Sequence, residues 1–324
     1  MSNPDYDALL STTYEKYAPT FVDNIFDEVV LYSKLMAKGK VKTIDGGESI
    51  TEPLMYGDNS TFGTYSGYET LDTTPQDGIT AANFPWKQAA VNIAISGIEE
   101  AKNKGASKII SLLEAKTFQA EESARAGMNL MGYGDGTGNA GKDFLGLEAL
   151  VGDETGVATV GGIDCTAGGN EYWRSVVQTA DTDGAGADTT VRDTAQWSNV
   201  FYTASRGNDA PDLVITTQAL FEHYEASLEP QLRFTSNDKA DAKFTNIEFK
   251  GRSVFFDADC PAGTTYFLNT KYLGVKGHKD VWWTPTGFRT LPDVDARWSN
   301  ILAYGNMTVS NRARQGKITG QTVV

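Results

Sequence analysis

The 324 residues suffice for one large or two ordinary domains, and a composition with 40% hydrophobic and 22% charged residues is typical of a globular protein. The formal net charge of −14 argues against a general nucleic-acid-binding protein, which needs a basic surface to release counterions from phosphate. The two cysteines, Cys165 and Cys260, are too few for a disulfide framework or a cysteine zinc site, and the two histidines, His223 and His278, leave histidine-based metal or triad chemistry poorly supplied.

The apolar residues show no sign of a membrane or export segment. No run approaches the roughly 18 apolar residues of a transmembrane helix. The first residues also lack the basic and then apolar pattern of a secretory signal. These features predict a cytosolic protein that does not enter a membrane.

The charge is distributed unevenly along the chain. Residues 43–86 hold seven acidic residues and no lysine or arginine, so half of the net charge lies in one segment. Residues 289–317 hold five basic residues against two acidic ones. An acidic segment and a basic end are expected to pair, either within one chain or between copies of it.

Residues 1–42 combine a weakly helical pattern with a basic stretch. The apolar positions Phe21, Ile25 and Val29 are four residues apart. This pattern predicts an N-terminal arm, and a terminal helix docked on its own domain fits it equally well. The basic stretch comprises Lys34, Lys38, Lys40 and Lys42.

Residues 43–86 have almost no helical period but many β-forming residues and turn signals. Their length is unusual, because connections in compact domains are typically about 4–6 residues long. The segment is therefore either a projecting β-hairpin or disordered. Its aromatic residues favour a hairpin that lies on another surface, since a solvated linker has little use for them. These aromatic residues are Tyr56, Phe62, Tyr65 and Tyr68.

A strand and two helices are predicted next. Alternation of Val91, Ile93 and Ile95 with smaller or polar residues predicts a strand over residues 84–96. Ser96 and Glu99 have the spacing of a capping box, which predicts a short helix closed by Gly105. Apolar and small residues then recur every three or four positions over residues 106–132, which predicts an amphipathic helix of about 26 residues and about 40 Å. This stripe comprises Ile110, Leu113, Thr117, Ala120, Ala124, Met128 and Met131.

Beyond Gly138 the pattern is mixed α and β. Residues 212–217 (DLVITT) predict a buried strand, and residues 246–257 predict a hairpin that turns at Lys250-Gly251. The remaining predictions are helices over residues 190–205 and 218–228, a strand or short helix over 172–178, an exposed turn over 181–188, a strand over 265–268 and long strands near the C-terminus.

One turn is a single residue away from a phosphate-binding P-loop. Residues 136–142 read GTGNAGK, but Asp143 replaces the Ser or Thr that would hold magnesium, and a helix instead of a strand is predicted before the turn. We interpret it as a structural turn. The sequence DTDGAGAD at 181–188 resembles a calcium loop but lacks the terminal bidentate glutamate. With no GxSxG signature either, the sequence predicts no catalytic residue, cofactor or metal.

The order of these parts resembles the major capsid protein of tailed bacteriophages. The most specific segment is the long helix that ends in residues 130–138 (LMGYGDGTG) and is followed by residues 144–147 (FLGL), similar to the family's helix, glycine-rich turn and return. Residues 212–217 before a helix and residues 249–254 (FKGRSV) are similar to a lattice-facing strand and a hairpin of the family. The resemblance covers essentially the whole chain.

The resemblance implies an α+β fold with four parts. These are an N-terminal arm at 1–42, an extended β-hairpin loop at 43–86, a peripheral domain at 87–147 plus 276–324 with a β-sheet and a spine helix at about 106–132, and an α/β axial domain at 148–275.

The resemblance also implies a structural virion protein and not an enzyme. Such a protein self-assembles through pentamers and hexamers into the icosahedral capsid around the double-stranded DNA genome. Its expected partners are further copies of itself, scaffolding, portal and decoration proteins, and packaged DNA bound without sequence specificity. It is expected in the virion after assembly in the host cytoplasm. An acidic shell suits this role, because a repulsive inner wall does not trap the genome.

On this interpretation the acidic loop of one subunit lies across its neighbour. Burial of aromatic side chains should dominate and charge should set the register, because an exposed ion pair contributes only about 0–1 kcal/mol. The expected loop residues are Tyr56, Phe62, Tyr65, Tyr68, Glu48, Glu52, Asp58 and Glu69. The expected partners are Lys102, Lys104 and Lys108 of the next spine helix, or Arg312 and Arg314 of its terminal strand.

The chain departs from some family members in two ways. Some relatives join their subunits through an isopeptide bond from a lysine in the extended loop, but no lysine lies between Lys42 and Lys87, so no such bond is expected. Some relatives also begin with a helical pro-segment that is removed. This chain starts at the arm, which predicts a mature product or a separate scaffolding protein.

Three alternatives come from other functional classes. An encapsulin-like cellular shell shares the fold and would package an enzyme instead of DNA. A nucleotide-binding enzyme would depend on residues 136–142. A tail-tube or adhesin-like β-protein would need more strands and no long helix.

Overall fold

The computed structural model describes residues 29–102, 106–180, 194–227, 247–290 and 295–322. Within these ranges the chain forms a five-stranded sheet, a six-stranded sheet, two small two-stranded sheets and one long helix. The predicted α+β class is therefore confirmed. Residues 1–28, Lys104 and the predicted turn at 181–188 lie outside the described residues.

The five-stranded sheet is built around β14 (Ala296–Val309). This strand pairs antiparallel with β4 (Lys87–Ser96) over ten consecutive residue pairs. It also pairs antiparallel with β12 (Leu273–Pro285) and β13 (Arg289–Thr290), and β1 (Val41–Ile44) runs parallel to β12. In β4 the side chains of Ile93 and Ile95 are buried on one face of the sheet, while Gln88, Ala90, Asn92 and Ala94 are exposed on the other.

The long helix α3 (Ala106–Tyr133) contacts β4. A short helix, α2 (Gly97–Lys102), precedes it and begins with the predicted capping box. The Ser96 N–H donates to Glu99 Oε2 at 3.1 Å, and the Glu99 N–H donates to Ser96 Oγ at 3.3 Å. The predicted stripe of α3 is buried at Thr117, Ala120, Ala124 and Met128, whereas the side chains of Ile110 and Leu113 lie outside the described ones.

Helix α1 (Val30–Ala37) packs against α3. Its Leu31 and Tyr32 are buried and approach α3 at Gly132, where a Cβ would lie only 3.1 Å from the Tyr32 ring. From Val30 onward, the segment predicted as an arm is therefore a docked helix followed by β1. Its apolar side chains contact their own chain, which agrees with the docked-helix interpretation of this part, and the arm stays a prediction for residues 1–28.

The six-stranded sheet has the order β7 (Val176–Thr179), β15 (Gly316–Thr319), β11 (Thr265–Leu268), β8 (Leu213–Thr216), β10 (Arg252–Phe256) and β9 (Ile247–Phe249). All four residues of β8 are buried, as predicted for residues 212–217. The predicted β9–β10 hairpin turns at Lys250 and Gly251, whose φ angles of 50° and 74° suit a tight hairpin turn. Helix α4 (Thr194–Ala204) and helix α5 (Gln218–Ser227) meet where the rings of Trp197 and Tyr224 stack, with their centroids 4.8 Å apart.

The C-terminal strand corrects the predicted domain boundary. The sequence assigns residues 276–324 to the peripheral domain, but β15 lies between β7 and β11 in the other sheet. A four-residue strand carries no pattern that selects one sheet over another. Pairing with strands that are distant in sequence decides its place.

The extended loop has a stem and a tip. The stem is β2 (Ile50–Met55) paired antiparallel with β3 (Ile79–Phe84), and the tip is residues 57–78. Ile50, Leu54, Ala82 and Phe84 of the stem are buried in the main core. A small hairpin, β5 (Thr159–Val160) and β6 (Ile163–Asp164), supports the stem, since the Asn83 N–H donates to the Gly161 carbonyl at 2.8 Å. Short helical turns lie at Gly138–Gly141, Leu147–Leu150, Glu171–Trp173 and Arg312–Arg314.

Candidate subunit-contact surface

The loop tip exposes apolar side chains to solvent. Every residue from 62 to 77 is exposed, and Phe62 keeps 93% of its accessible surface. Of the eleven large apolar residues exposed in the described part of the chain, seven lie between Met55 and Ile79. Such a concentration is typical of surfaces that contact another molecule. The seven are Met55, Tyr56, Phe62, Tyr65, Tyr68, Leu71 and Ile79.

A narrow neck joins the tip to the stem. The Tyr56 N–H donates to the Gly78 carbonyl at 2.9 Å, and a Cβ on Gly78 would lie 2.9 Å from the Gly57 carbonyl oxygen. Only glycine at Gly78 allows the two backbones to approach so closely. The stem is therefore held by its own chain, while the tip extends beyond it.

Local turns shape the tip. The Asp72 carboxylate accepts the Thr74 N–H at 2.9 Å and the Thr74 hydroxyl at 2.6 Å, and Glu69 accepts the Ser66 N–H at 2.9 Å. The hydrogen bonds from the hydroxyl and the N–H of Thr74 lower the pKa of Asp72 below its ordinary value. Asp72 therefore stays ionised, and the tip presents a defined negative surface.

The acidic residues of the loop fall into two groups. Near its base, Glu52 forms an ion pair with Lys276 at 2.7 Å and Asp45 forms one with Lys279 at 3.4 Å, both in β12 of the same chain. The tip carboxylates form no ion pair with any described residue. They are Asp58, Glu69, Asp72 and Asp77, and all four are exposed.

The glycine-rich turn after α3 is not a P-loop. A helix precedes it, and Asn139 and Ala140 adopt left-handed conformations with φ of 51° and 57°. The Asp143 carboxylate lies against Gly138 and so places a negative charge beside the turn. Lys87 donates its Nζ to the Gly141 carbonyl. The nucleotide-binding alternative therefore lacks the required strand, loop and helix.

The return from this turn explains the FLGL sequence. Gly146 passes beneath the end of α3, where a Cβ would lie 2.6 Å from the Gly134 carbonyl oxygen and 2.7 Å from that of Gly132. Only a residue without a side chain fits there. The glycine thus lets the chain reverse directly under the helix.

Solved structures share this arrangement over most of the chain. The capsid asymmetric unit of cyanophage A-1(L) aligns with a TM-score of 0.61 at 16% identity, covering 87% of this chain and 90% of that one. The capsid of the native GTA particle aligns with a TM-score of 0.58 at 13% identity, covering 89% and 90%. A chain of Mycobacterium phage Cain aligns with a TM-score of 0.52 at 12% identity, covering 90% of each. This chain has the phage capsid protein fold. No protein-family model and no curated protein matches the sequence.

The capsid fold accounts for the order of parts that the sequence predicts: loop, strand, long helix, glycine-rich turn, mixed domain and late strands. Among the described residues, no helix has the length and apolar character needed to cross a bilayer. Nor do three or more His, Cys, Asp or Glu side chains of that part of the chain converge as they would around a metal ion.

Two loop residues that were predicted to contact a neighbouring subunit, Tyr56 and Glu52, contact their own chain. Tyr56 stacks on Tyr172 with ring centroids 5.0 Å apart and retains 39% exposure. Glu52 binds Lys276 and accepts the Thr308 hydroxyl at 2.7 Å. The other predicted loop residues, Phe62, Tyr65, Tyr68, Glu48, Asp58 and Glu69, are exposed and stay predictions.

The prediction for Arg312 is wrong. Its side chain is fully buried and donates to the carbonyls of Ala149, Leu150, Gly152 and Val157 at 2.9–3.2 Å. Burial lowers its pKa, and the carbonyls occupy its Nε and Nη2 donors in the interior of the chain, where a neighbour's carboxylate has no access. Arg312 and Arg314 also lie in a short helical turn and not in a strand.

The remaining predicted partners differ in what the structure describes. Arg314 is half-buried and donates from Nη1 to the Ala204 carbonyl at 3.3 Å. Lys104 and the side chains of Lys102 and Lys108 lie outside the described residues.

Sequence reasoning overlooked part of the exposed apolar surface. Met55, Leu71 and Ile79 extend the aromatic surface of the loop, and Phe118 and Leu130 are exposed on the outer side of α3. Phe118 and Leu130 fall outside the buried stripe of the helix, which is a signal that the sequence does carry. A large apolar residue outside the stripe of an amphipathic helix points to a second contact surface.

Proposed function

We propose that this chain is the major capsid protein of a tailed bacteriophage. It self-assembles through pentamers and hexamers into the icosahedral shell that encloses the double-stranded DNA genome. One combination carries the proposal: the capsid fold over nearly nine tenths of the chain, and a loop tip whose apolar side chains its own chain leaves in solvent.

Burial of the loop tip supplies the driving force for assembly. Phe62 and Leu71 each contribute roughly 1.5–3 kcal/mol when fully buried, and part of this offsets the loss of free motion on association. An exposed ion pair adds only about 0–1 kcal/mol. Apolar burial therefore determines the strength of the contact, and the tip carboxylates determine its orientation.

The contact joins two different surfaces. The tip of one copy covers a region of the next copy that is not itself a tip, so the interface is heterologous. A heterologous contact that repeats around an axis closes into a ring when the rotation allows it. Rings of five and six subunits are the units from which an icosahedral shell is built.

The role is structural and not catalytic. The proposed partners are further copies of this chain, scaffolding, portal and decoration proteins, and packaged DNA without sequence-specific contacts. The net charge of −14 suits a container, because a repulsive wall leaves the genome free to enter and leave. The proposed location is the virion, after assembly in the host cytoplasm.

Negative-stain electron microscopy of the full chain, expressed alone and with a candidate scaffolding protein, tests this proposal. We expect closed icosahedral shells or capsomer-sized rings. Monomers under both conditions would contradict it. Shells that enclose a cellular enzyme and exclude DNA would instead support the encapsulin-like alternative.

A further inference from the structure

The basic stretch at the end of α1 borders an open pocket. Lys34 and Lys38 line one side, and Arg252 and Ser253 of the β9–β10 hairpin line the other, around a volume of about 320 Å³. Asp212, which directly precedes β8, also lines the pocket. We call this the basic pocket.

The charge of the basic pocket favours an anionic ligand. It holds three cations against one carboxylate. Lys38 and Asp212 neutralise each other in an ion pair at 2.5 Å, and Asp212 also accepts the N–H and hydroxyl of Thr270 at 2.8 Å and 2.7 Å. Lys34 and Arg252 then supply the excess positive charge of the pocket.

The floor of the basic pocket is partly apolar. Leu213 and Phe255 line it, and Lys34 Nζ lies 4.2 Å from the centroid of the Phe255 ring. An apolar floor beneath a cationic rim suits a ligand that carries a carboxylate beside an apolar side chain. Such a ligand would bury its apolar group and keep its charge at the rim.

The loop tip has this composition. Tyr68 is followed by Glu69 and Leu71 by Asp72, and all four residues are exposed. We propose that the loop tip of a second copy of this chain binds the basic pocket. The inference rests on the proposed function and identifies the surface that receives the loop. None of the chain's own tip residues lines the pocket, so a tip that binds there belongs to another copy.

The geometry favours a peptide over packaged DNA. DNA binding is driven by rows of phosphate contacts on an extended basic surface. The basic pocket is concave and has a carboxylate in its wall, on a chain with a net charge of −14. A single carboxylate with an adjacent apolar side chain fits it better than a duplex does.

Cross-linking between introduced cysteines tests the contact. Arg252→Cys and Asp72→Cys are combined in one chain, in which both native cysteines are buried. A short thiol cross-linker should then produce a ladder of linked chains on denaturing electrophoresis. The matched control pairs Asp72→Cys with Lys250→Cys, which lies two residues from Arg252 and whose native Nζ is held 3.5 Å from the Tyr202 ring centroid. It should link at least about tenfold less, because cross-linking rates follow effective concentration.

Charge reversal gives an independent readout. Arg252→Glu should reduce the assembled fraction about tenfold or more, because like charges at a docking site repel. Lys250→Glu makes the same charge change on the same hairpin and should leave assembly unchanged. Adding Glu69→Lys and Asp72→Lys to Arg252→Glu should restore assembly.

The outcomes separate this inference from the proposed function. Unaltered chains that form shells, with no link between positions 72 and 252 in those shells, would overturn the pocket contact and leave the capsid role intact. Normal shells of Arg252→Glu that lose their DNA would show that the pocket binds the genome instead. If unaltered chains form no shells, the capsid role fails. Cross-linking between positions 72 and 252 in the soluble chain at high concentration then shows whether the tip of one copy binds the basic pocket of another.

Discussion

The side-chain amide of Gln315 forms two hydrogen bonds with the backbone of Asn269. The Asn269 N–H donates to Gln315 Oε1 at 2.9 Å, and Gln315 Nε2 donates to the Asn269 carbonyl at 3.0 Å. Each residue lies on a connection between the two large sheets, β11 to β12 in one case and β14 to β15 in the other. Gln315 is fully buried, so this pair ties the sheets together at the point where the chain crosses between them.

Replacing Gln315 with leucine should weaken this junction. The buried Asn269 N–H loses its partner, whereas the Asn269 carbonyl still accepts the Tyr272 N–H at 3.2 Å. The free energy of unfolding should therefore fall by roughly 1–3 kcal/mol, the cost of one unsatisfied buried group. Urea denaturation measures the change. Gln88→Leu is the control, because Gln88 is exposed on β4. It should alter stability by less than about 0.5 kcal/mol, and equal losses in the two variants would contradict the assignment.

Gly146→Ala tests the close passage beneath α3. The new Cβ would meet carbonyl oxygens of the backbone, which cannot rotate away as a side chain can. We expect a loss of roughly 3 kcal/mol or more, at the upper end of the cost of overpacking. Thermal unfolding measures it, and Gly156→Ala is the matched control because no atom lies within 4 Å of its added Cβ. An unchanged melting temperature for Gly146→Ala would show that the helix end moves aside.

Buried tyrosines should make the chain sensitive to alkali. Burial raises the pKa of Tyr224 to about 12, and burial also raises the pKa of Tyr133 well above its ordinary value. In the unfolded chain tyrosines release their protons near pH 10. The contribution of these protonated tyrosines to the free energy of unfolding is therefore fully present below about pH 10 and is lost as the pH rises towards 12. Circular dichroism and tyrosinate absorbance should change together in this window.

Tyr224→Phe is the test variant for this pH dependence. It lacks the hydroxyl, so its free energy of unfolding should fall less steeply with pH than that of the unaltered chain over the same window. Tyr202→Phe is the control, because Tyr202 is exposed. Identical slopes for Tyr224→Phe and the unaltered chain would contradict the role of Tyr224.

Local patterns in the sequence predicted the features that local contacts decide. The capping box at Ser96 and Glu99 and the turn at Lys250-Gly251 depend on neighbouring residues alone, and both are present. Arg312 shows what local patterns in the sequence cannot predict. Nothing near it in sequence indicates that four carbonyls of residues 149–157 converge on its guanidinium.

The loop also combines features that local patterns predict with contacts that depend on distant residues. Aromatic residues within an acidic segment predicted an exposed contact surface, and Phe62 and Tyr68 are exposed. The stacking of Tyr56 on Tyr172 depends on where the β5–β6 region brings a distant residue, so no periodicity reveals it. The basic pocket likewise joins α1 to the β9–β10 hairpin across most of the chain.

The exposed aromatic residues of the tip should separate assembly from folding. Phe62 and Tyr68 make up much of the surface that the chain itself leaves in solvent, so Phe62→Ser with Tyr68→Ser should change the stability of the monomer by less than about 0.5 kcal/mol. The same double variant removes apolar area from every contact in a shell. A loss of about 1.4 kcal/mol at each contact lowers its association constant about tenfold, and the many contacts of a closed shell multiply this effect.

Sedimentation velocity and electron microscopy measure the assembled fraction of this variant, and thermal unfolding measures the monomer. Tyr202→Ser is the matched control, because its exposed ring lies on α4 beneath Lys250 and away from the loop. It should assemble as the unaltered chain does. Full assembly of the double variant would mean that the tip is not the contact surface. A destabilised monomer would mean that the tip packs on its own chain, because a side chain in solvent contributes little to folding.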